Sequence, residues 1–436
     1  MKKTWRGVVY LLVIIMFLLP ANTVQNRAST EKTGFIEVKL EAGNYTIKQT
    51  EDYSKITMDG FNHILTPGCP MLPSKTYLVG LPPGAEVTYV DLIESLNQII
   101  PGNHRVMLAP PPVDEKRNQK TACFKDPYPS TLYKYLGTGQ IRKYRFARIR
   151  FFPITYFSAT GKLILHKSIT LKIGYRVTEK VSNQILADTV MDEFASKNIV
   201  NHPYIVSLYK PKTSSSLNIS TYNYVIITKN SLKDAVKPLV NWKKNLGYNI
   251  KTVTNYTNPE EIRSFLKNKY VEWGIKYVLI VGSTHSIPMK RCYPKPNDPD
   301  KATPTDYYYA DLTGYWNSDH DDYYGERGED DVDFYPEVYV GRIPLDDPLT
   351  VKNVCQKIVE FESRPWEWKK KALLLGAIIN YENEDGEEQP ETDGANGMEE
   401  CRNDLFIPNG YICTTMYEKN GLKPSQHNCD YPLTHE

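Results

Sequence analysis

From Tyr222 onward, short apolar runs alternate with stretches of helical period, and this alternation constrains the fold of the 436-residue chain more than any other feature. Tyr224 to Ile227, Ile250 to Val253, Tyr277 to Val281, Glu337 to Val340 and Ala372 to Leu375 read as strands, short and apolar enough to be buried on both faces. Between them, Leu232, Val236, Leu239, Val240 and Trp242 line one side of a helix ending at Gly247, and Pro238 within it calls for a kink or a late start. Asn258-Pro259-Glu260-Glu261 supplies an N-cap, an N1 proline and an acidic first turn. That helix carries Ile262, Phe265, Leu266 and Trp273 inward and stops at Gly274. Asp347-Pro348 opens another helix, with Val351, Val354, Cys355, Ile358 and Phe361 on one side. Such alternation implies an α/β domain with a mostly parallel sheet covered on both faces, whose ligand site lies outside the carboxyl ends of the strands. Gly282, Gly341 and Gly376 are expected to end strands, so the loops after them should face that site.

The first half has a different period. Residues 1–24 read as a secretory signal peptide: Lys2, Lys3 and Arg6 precede an apolar run from Val8 to Leu19 that ends at Pro20. That run is too short for the ~20 residues a spanning helix needs, and no later stretch is apolar enough, so no membrane span is expected beyond the signal. Residues 25–178 read as an all-β, sandwich-like domain. Phe35 to Leu40, Tyr45 to Lys48 and Thr76 to Leu81 are β-prone and punctuated by Gly and Pro. Leu163, Leu165, Ile169, Leu171, Ile173 and Tyr175 alternate with polar residues after a Thr160-Gly161 turn, the pattern of a half-buried hairpin. His63, His104 and His166 are isolated and read as solvated or hydrogen-bonded side chains. Residues 179–221 read as an exposed linker ending in the polar run Lys210 to Ser216, a place where a protease can cut. Residues 222–436 are the α/β domain.

Charge excludes some partners. With 53 Lys and Arg against 51 Asp and Glu, the chain gives no reason to expect nucleic acid or an anionic membrane surface. Seven cysteines form no C-x-x-C pair, which argues against structural zinc and thioredoxin chemistry. In an oxidising compartment the expected disulfide partners are among Cys401, Cys413 and Cys429. Asn44, Asn218 and Asn255 fit the N-glycosylation pattern.

Between Tyr315 and Asp333, acidic residues recur with Gly325 and Gly328 among them. Hard oxygen ligands with tight-turn glycines suit Ca²⁺, and Asp319, Asp321 and Glu326 are the best ligands; a solvated acidic loop is the plainer reading. Gly328 stands at the twelfth position, so the loop is not an EF-hand.

Three runs carry a family resemblance. Thr305-Asp306-Tyr307-Tyr308-Tyr309-Ala310-Asp311, followed by Phe334-Tyr335-Pro336-Glu337-Val338-Tyr339-Val340-Gly341-Arg342-Ile343-Pro344, resembles the gingipain family of cysteine peptidases, as does the strand and loop from Val278 to Pro288. The β-rich half, through its stretch from Phe146 to Val177, is similar to the family's N-terminal propeptide. The resemblance implies a caspase-like α/β domain, endopeptidase activity on protein or peptide substrates through a His and Cys dyad, and calcium binding. In the family the His lies in a His-Gly pair at a strand end, with the Cys after the next strand. This sequence has no His-Gly pair, and His427, Cys429 and His435 lie in a polar, proline-punctuated stretch. No catalytic residue is therefore assigned within it, the α/β domain is expected to be incomplete, and the dyad is expected beyond Glu436. His285 reads either as a neighbour of the substrate cleft or as an ordinary loop histidine. The leading expectation is a secreted or cell-surface peptidase zymogen, and the alternative is a non-catalytic adhesion or protein-binding module.

Overall fold

The computed structural model describes residues 32–49, 53–109, 124–211, 222–254, 256, 258–293, 302–380, 392–420 and 424–434. The signal-like segment, Cys123, most of the polar run before Tyr222, Asn218, Asn255 and His435 lie outside them.

The first half contains β1 (Thr33–Glu41), β2 (Tyr45–Gln49), β3 (Ser54–Met58), β4 (Asn62–His63), β5 (Pro73–Gly80), β6 (Ala85–Ile100), β7 (Tyr133–Ile141), β8 (Tyr144–Phe151), β9 (Ile154–Phe157) and β10 (Lys162–Val177). The long strand β10 is paired on one edge by β9 and then β1, and on the other by β6, all antiparallel. A second sheet runs β4-β5-β8-β7. Val38 and Leu40 of β1 and Ile169, Leu171 and Ile173 of β10 meet Val79 of β5 and Ala147, Ile149 and Phe151 of β8 in one buried core. Each such aliphatic side chain contributes about 1.5–3 kcal/mol on burial. The turn into β10 uses Gly161 at φ 66°, where a Cβ would stand 2.9 Å from the His104 backbone nitrogen. His166 is buried and hydrogen-bonded to Ser95 and Thr155, both at 3.0 Å, and burial lowers its pKa.

Residues 179–221 differ from the expected linker. Helices α1 (Asn183–Leu186), α2 (Asp192–Asn198) and α3 (His202–Ile205) and a 3-10 turn at Val206–Tyr209 occupy most of the described part. Leu186, Met191, Ala195, Ile199, Ile205 and Tyr209 pack on Leu78, Tyr144 and Phe146, extending the β domain's core. These helices are short and irregularly spaced, so the stretch carries no sustained period for sequence reading to detect.

The second half opens with β11 (Tyr224–Thr228), α4 (Lys237–Asn245), β12 (Ile250–Thr254), α5 (Pro259–Trp273), β13 (Tyr277–Val281), β14 (Lys290–Cys292), β15 (Thr303–Thr305), β16 (Tyr339–Ile343) and α6 (Pro348–Ser363). Strands β12-β11-β13-β16 form a wholly parallel sheet with Tyr224, Tyr277 and Tyr339 in register. Helix α5 covers one face, burying Ile262, Leu266 and Tyr270 against Val225, Ile227, Val278 and Ile280. Helices α4 and α6 cover the other, where Leu239, Val351 and Cys355 meet Ile226, Val281 and Ile343. The terminal signals act as read: Asn258 Oδ1 accepts the Glu260 N–H at 2.8 Å, Gly274 caps in the left-handed region, and Pro238 sits in the first turn of a helix that starts late.

Two strand expectations are corrected. Gly341 lies inside β16, which runs on to Ile343, because Arg342 and Ile343 continue the pairing with β13. The strand at Ala372, β17 (Lys371–Gly376), belongs to a second parallel sheet. The remaining elements are β18 (Ile378–Asn380), β19 (Thr392–Asp393), α7 (Gly394–Cys401), β20 (Ile412–Glu418) and β21 (Tyr431–Leu433), and that second sheet runs β17-β20-β21. Among the described residues no helix is long and apolar enough to cross a membrane.

Candidate functional site

The carboxyl ends of the parallel strands form a rim whose parts are tied together. After β13, Ser283 N–H donates to Asp346 Oδ1 at 3.2 Å and the Ser286 hydroxyl donates to the same oxygen, which joins the loop after β13 to the loop after β16. Hydrogen bonding from the Ser283 and Ser286 side chains, with the Ser283 backbone N–H adding to it, holds the Asp346 carboxyl down at about 2. Lys229, just after β11, lies 3.7 Å from the same carboxylate. Below the rim, Arg342 donates to both Asp306 oxygens at 2.6 and 2.7 Å and to the carbonyls of Gly282 and Ile287 at 2.9 and 2.8 Å. Tyr309 donates to Pro288 O at 2.5 Å, and Arg263 holds the carbonyls of Tyr308, Asp311 and Gly314. The three sequence runs that carry the resemblance thus brace one another: Asp306 and Tyr309 from the first and Arg342 from the second fix the loop after β13. His285 is exposed on that loop, its backbone N–H donating to Ser283 Oγ at 3.3 Å.

The histidines and cysteines form no dyad among the described residues. Among the described residues no hydrogen bond joins a His to a Cys, and His427 Nε2 instead meets Asn396 Oδ1 at 2.9 Å. Burial pushes the Cys292 thiol up to about 12 and the Cys355 thiol up to about 11, which makes them core residues rather than nucleophiles. Cys401, Cys413 and Cys429 are unpaired, contrary to the disulfide expected among them. They stand at the end of α7, within β20 and just before β21, and spacing in sequence carries no information on how those elements approach one another.

The acidic loop gathers part of the ligand set read from the sequence. Carboxylate oxygens of Asp319, Glu326 and Glu329 lie within 4.8 Å of one another, with Glu326 buried and the other two exposed. Asp321 is not in that group, and its Oδ1 accepts the Tyr323 N–H at 2.7 Å. Asp330 shapes the loop instead of facing the cluster, accepting the N–H groups of Ser318, Gly325 and Glu326. Sequence reasoning misses Glu329 because an exposed glutamate next to Asp330 has nothing local to distinguish it.

A second carboxylate group lies deeper. Glu337 is fully buried, and its Oε2 accepts the N–H groups of Leu312 and Thr313 at 2.6 and 3.1 Å. Its Oε1 accepts the Thr313 hydroxyl at 2.9 Å. Burial, then the charges of Asp311 and Asp333, push Glu337 up to about 8. Burial and the Asp311 charge likewise push Asp333 up to about 7. Asp311, accepting the Gly314 N–H at 2.7 Å, is also raised by burial.

Comparison with known proteins accounts for both halves. Residues 218–431 match the family described as Peptidase family C25, and residues 19–207 match its propeptide family. Lys-gingipain HG66 and Lys-gingipain W83 of Porphyromonas gingivalis are 22% and 21% identical over 353 and 358 residues, covering 72% and 73% of this chain. The chain spans 18% of the length of each. Among solved structures, the Arg-specific cysteine proteinase gingipain R overlays at a TM-score of 0.32 and 20% identity, covering 47% of this chain and 43% of its own. The complex of Porphyromonas gingivalis RgpB pro- and mature domains overlays at 0.30 and 14% identity, covering 39% of this chain and 92% of its own. With a propeptide match followed by a peptidase match, in that order and over most of its length, the chain belongs to the gingipain family of cysteine peptidases, peptidase family C25.

Proposed function

We propose that the chain is the precursor form of a secreted or cell-surface cysteine-type endopeptidase, in which a sandwich-like propeptide precedes a caspase-like catalytic domain. The observation that carries the reading is the order of the two family matches. The family's dyad chemistry needs a thiolate to attack the scissile carbonyl and an imidazole to protonate the leaving amine. No residue is assigned to that dyad, since no His-Gly pair occurs in the sequence, and the braced loops after β13 and β16 are the part of the cleft wall these residues would provide. Proteins and peptides are the proposed substrates. The natural gene product, isolated from the secreted fraction, is expected to hydrolyse a denatured protein and to lose that activity on thiol alkylation. Hydrolysis that survives alkylation would overturn the thiol mechanism, and none at all once the propeptide is gone would leave a secreted protein-binding module as the function.

The same loop geometry supports a structural Ca²⁺ site held by Asp319, Glu326 and Glu329, with Asp321 serving the turn. Three converging carboxylates fit a hard cation, and the ion's role would be to fix the 315–333 loop, not to take part in hydrolysis. Calorimetric titration of the full chain with CaCl₂ is expected to show one site in the range of about 0.1–1 mM typical of extracellular modules. Glu329→Gln is expected to weaken it on the order of tenfold and Asp321→Asn much less. Absence of any binding heat rules the site out.

A further inference from the structure

The sheet β12-β11-β13-β16 is left half uncovered on the face that α4 and α6 pack against. Side chains two residues apart on a strand share a face, so Tyr224, Tyr277 and Tyr339 stand on the same face as Ile226, Val281 and Ile343. The helices bury the second set, whereas Tyr224 and Tyr277 stay half-buried and Tyr339 keeps 45% of its surface exposed. The three tyrosines form a row across three strands, with ring centres 6.0 and 5.8 Å apart. At about 4.8 Å per strand the row is roughly 10 Å long. Tyr248, between α4 and β12, stands edge-on to Tyr224 and Tyr277 at 5.8 Å from each. A cavity of about 330 Å³ lies against these rings. Gly341 in the edge strand β16 widens it, since a Cβ there would meet no atom within 4 Å.

The polar side of the cavity is an ion pair between the two covering helices. Lys243 Nζ of α4, which lines the cavity, donates to both Glu362 oxygens of α6 at 2.8 and 3.0 Å. Trp242 Nε1 donates to Glu362 Oε2 at 2.7 Å. An ammonium carries three protons and a carboxylate oxygen two lone pairs. Among the described residues Glu362 Oε1 accepts only from Lys243, so the pair keeps a donor and an acceptor side by side while carrying no net charge. These contents select among ligand chemistries. A cation finds the rings taken: Lys243 Nζ lies 5.7 Å from the centre of the Tyr248 ring and Lys276 Nζ 5.5 Å from that of Tyr277. An anion meets a lysine already neutralised by Glu362. A wholly apolar ligand would strip water from the ion pair and return no hydrogen bond. A neutral ligand with an apolar face and a rim of hydroxyls suits every part. A pyranose is such a molecule: its C–H face lies on aromatic carbon, and its vicinal hydroxyls donate and accept at once.

We propose that this cavity is a saccharide site, taking one or two neutral pyranose units between the tyrosine row and the Lys243–Glu362 pair. It lies apart from the cleft. The row stands at the amino-terminal ends of β11, β13 and β16, and the rim of Ser283, Ser286 and Asp346 lies beyond their carboxyl ends, roughly 16 Å of strand away. Binding there makes and breaks no covalent bond; it holds the α/β domain to a glycan while the strand-end loops stay free. The assignment rests on the cavity and not on the peptidase reading. The same pyranose chemistry comes from a glucan or from the N-acetylglucosamine core of a glycan attached to protein, and the choice of probe separates the two.

The experiment is saturation-transfer difference NMR on the full chain, with maltose, cellobiose and diacetylchitobiose as probes and choline and octanoate as controls. Transfer is expected to the ring C–H protons of at least one disaccharide and to neither control. A response from maltose or cellobiose identifies a glucan, and one from diacetylchitobiose alone identifies the glycan core. Gly341→Leu fills the cavity and is expected to abolish the transfer while leaving the urea midpoint unchanged. Lys243→Met keeps the alkyl stem, removes the donor and is expected to weaken binding on the order of tenfold. If Gly341→Leu lowers the urea midpoint, Tyr339→Ala reads the same question, because it truncates an exposed ring at the sheet edge. Three results overturn the proposal: no transfer to any disaccharide, transfer that survives Gly341→Leu or Tyr339→Ala in a folded chain, or transfer to choline or octanoate. None of these readouts requires hydrolysis, so a failure here is distinct from a failure of the proposed function.

Discussion

Asp306→Ala is expected to destabilise the α/β domain by about 3–5 kcal/mol, the cost of removing one partner of a buried ion pair. Arg342 and Asp306 keep only 6% and 16% of their side-chain surface, and the pair is bidentate. Truncating Asp306 leaves a guanidinium held only by two carbonyls, those of Gly282 and Ile287, with its remaining N–H groups turned toward a cavity that the carboxylate had filled. The loss should be felt at a distance, because those carbonyls belong to the loop that Asp346 also secures. Asp306→Asn keeps the shape and one acceptor and is expected to lose less. Urea denaturation followed by tryptophan fluorescence measures both, and a loss under about 1 kcal/mol for Asp306→Ala would mean the pair behaves as a surface bridge.

Stability is expected to fall as pH rises from about 5.5 to 8.5, by on the order of 5 kcal/mol, the equivalent of about four pKa units. The sign follows from the direction of the shifts. Asp333 and Glu337 are raised from 3.8 and 4.5 to about 7 and about 8, so the folded chain holds protons that the unfolded chain has released. Their contribution is complete below about pH 4 and is lost as pH climbs through the folded values. Around them stand Asp311, Arg148 and Tyr335 beside Asp333, and Asp311, Arg142 and Tyr270 beside Glu337. Burial and the mutual repulsion of three carboxyls oppose ionisation, while the N–H donors of Gln140, Tyr335, Leu312 and Thr313 favour it. Asp333→Asn removes one titrating group and is expected to flatten the decline between about pH 6 and 7.5. A wild-type profile already flat across that range would mean the donors win and both groups are ionised when folded.

Much of the second half is legible in the sequence because its signals are local. The caps at Asn258 and Asp347, the left-handed stop at Gly274 and the apolar strands at 224, 250, 277 and 339 each report on a few consecutive residues, and local sterics and hydrogen bonding decide them. Strand β17 is equally visible as a strand. Its assignment to a separate sheet depends on pairing with β20, where Lys371 meets Ile412 and Gly376 meets Tyr417, and no run of consecutive residues records that pairing.

The candidate sites divide in the same way. The acidic loop announces itself by composition, yet which carboxylates converge is decided by backbone turns that bring Glu329 to Asp319 and Glu326 and give Asp321 to the Tyr323 N–H.

By itself the sequence determined the order of a β-rich half and an α/β half, the helix ends, and the family, since periodicity, capping chemistry and contiguous motifs are properties of neighbouring residues. Only the tertiary structure decided that Asp306 serves Arg342, that the stretch after Thr178 folds onto the β domain, and that Arg142 is buried beside Glu337, 195 residues away. An arginine at a hairpin tip reads as a solvated charge until the fold brings a helix end and two strand-leading carbonyls to meet it, and no local pattern encodes that meeting.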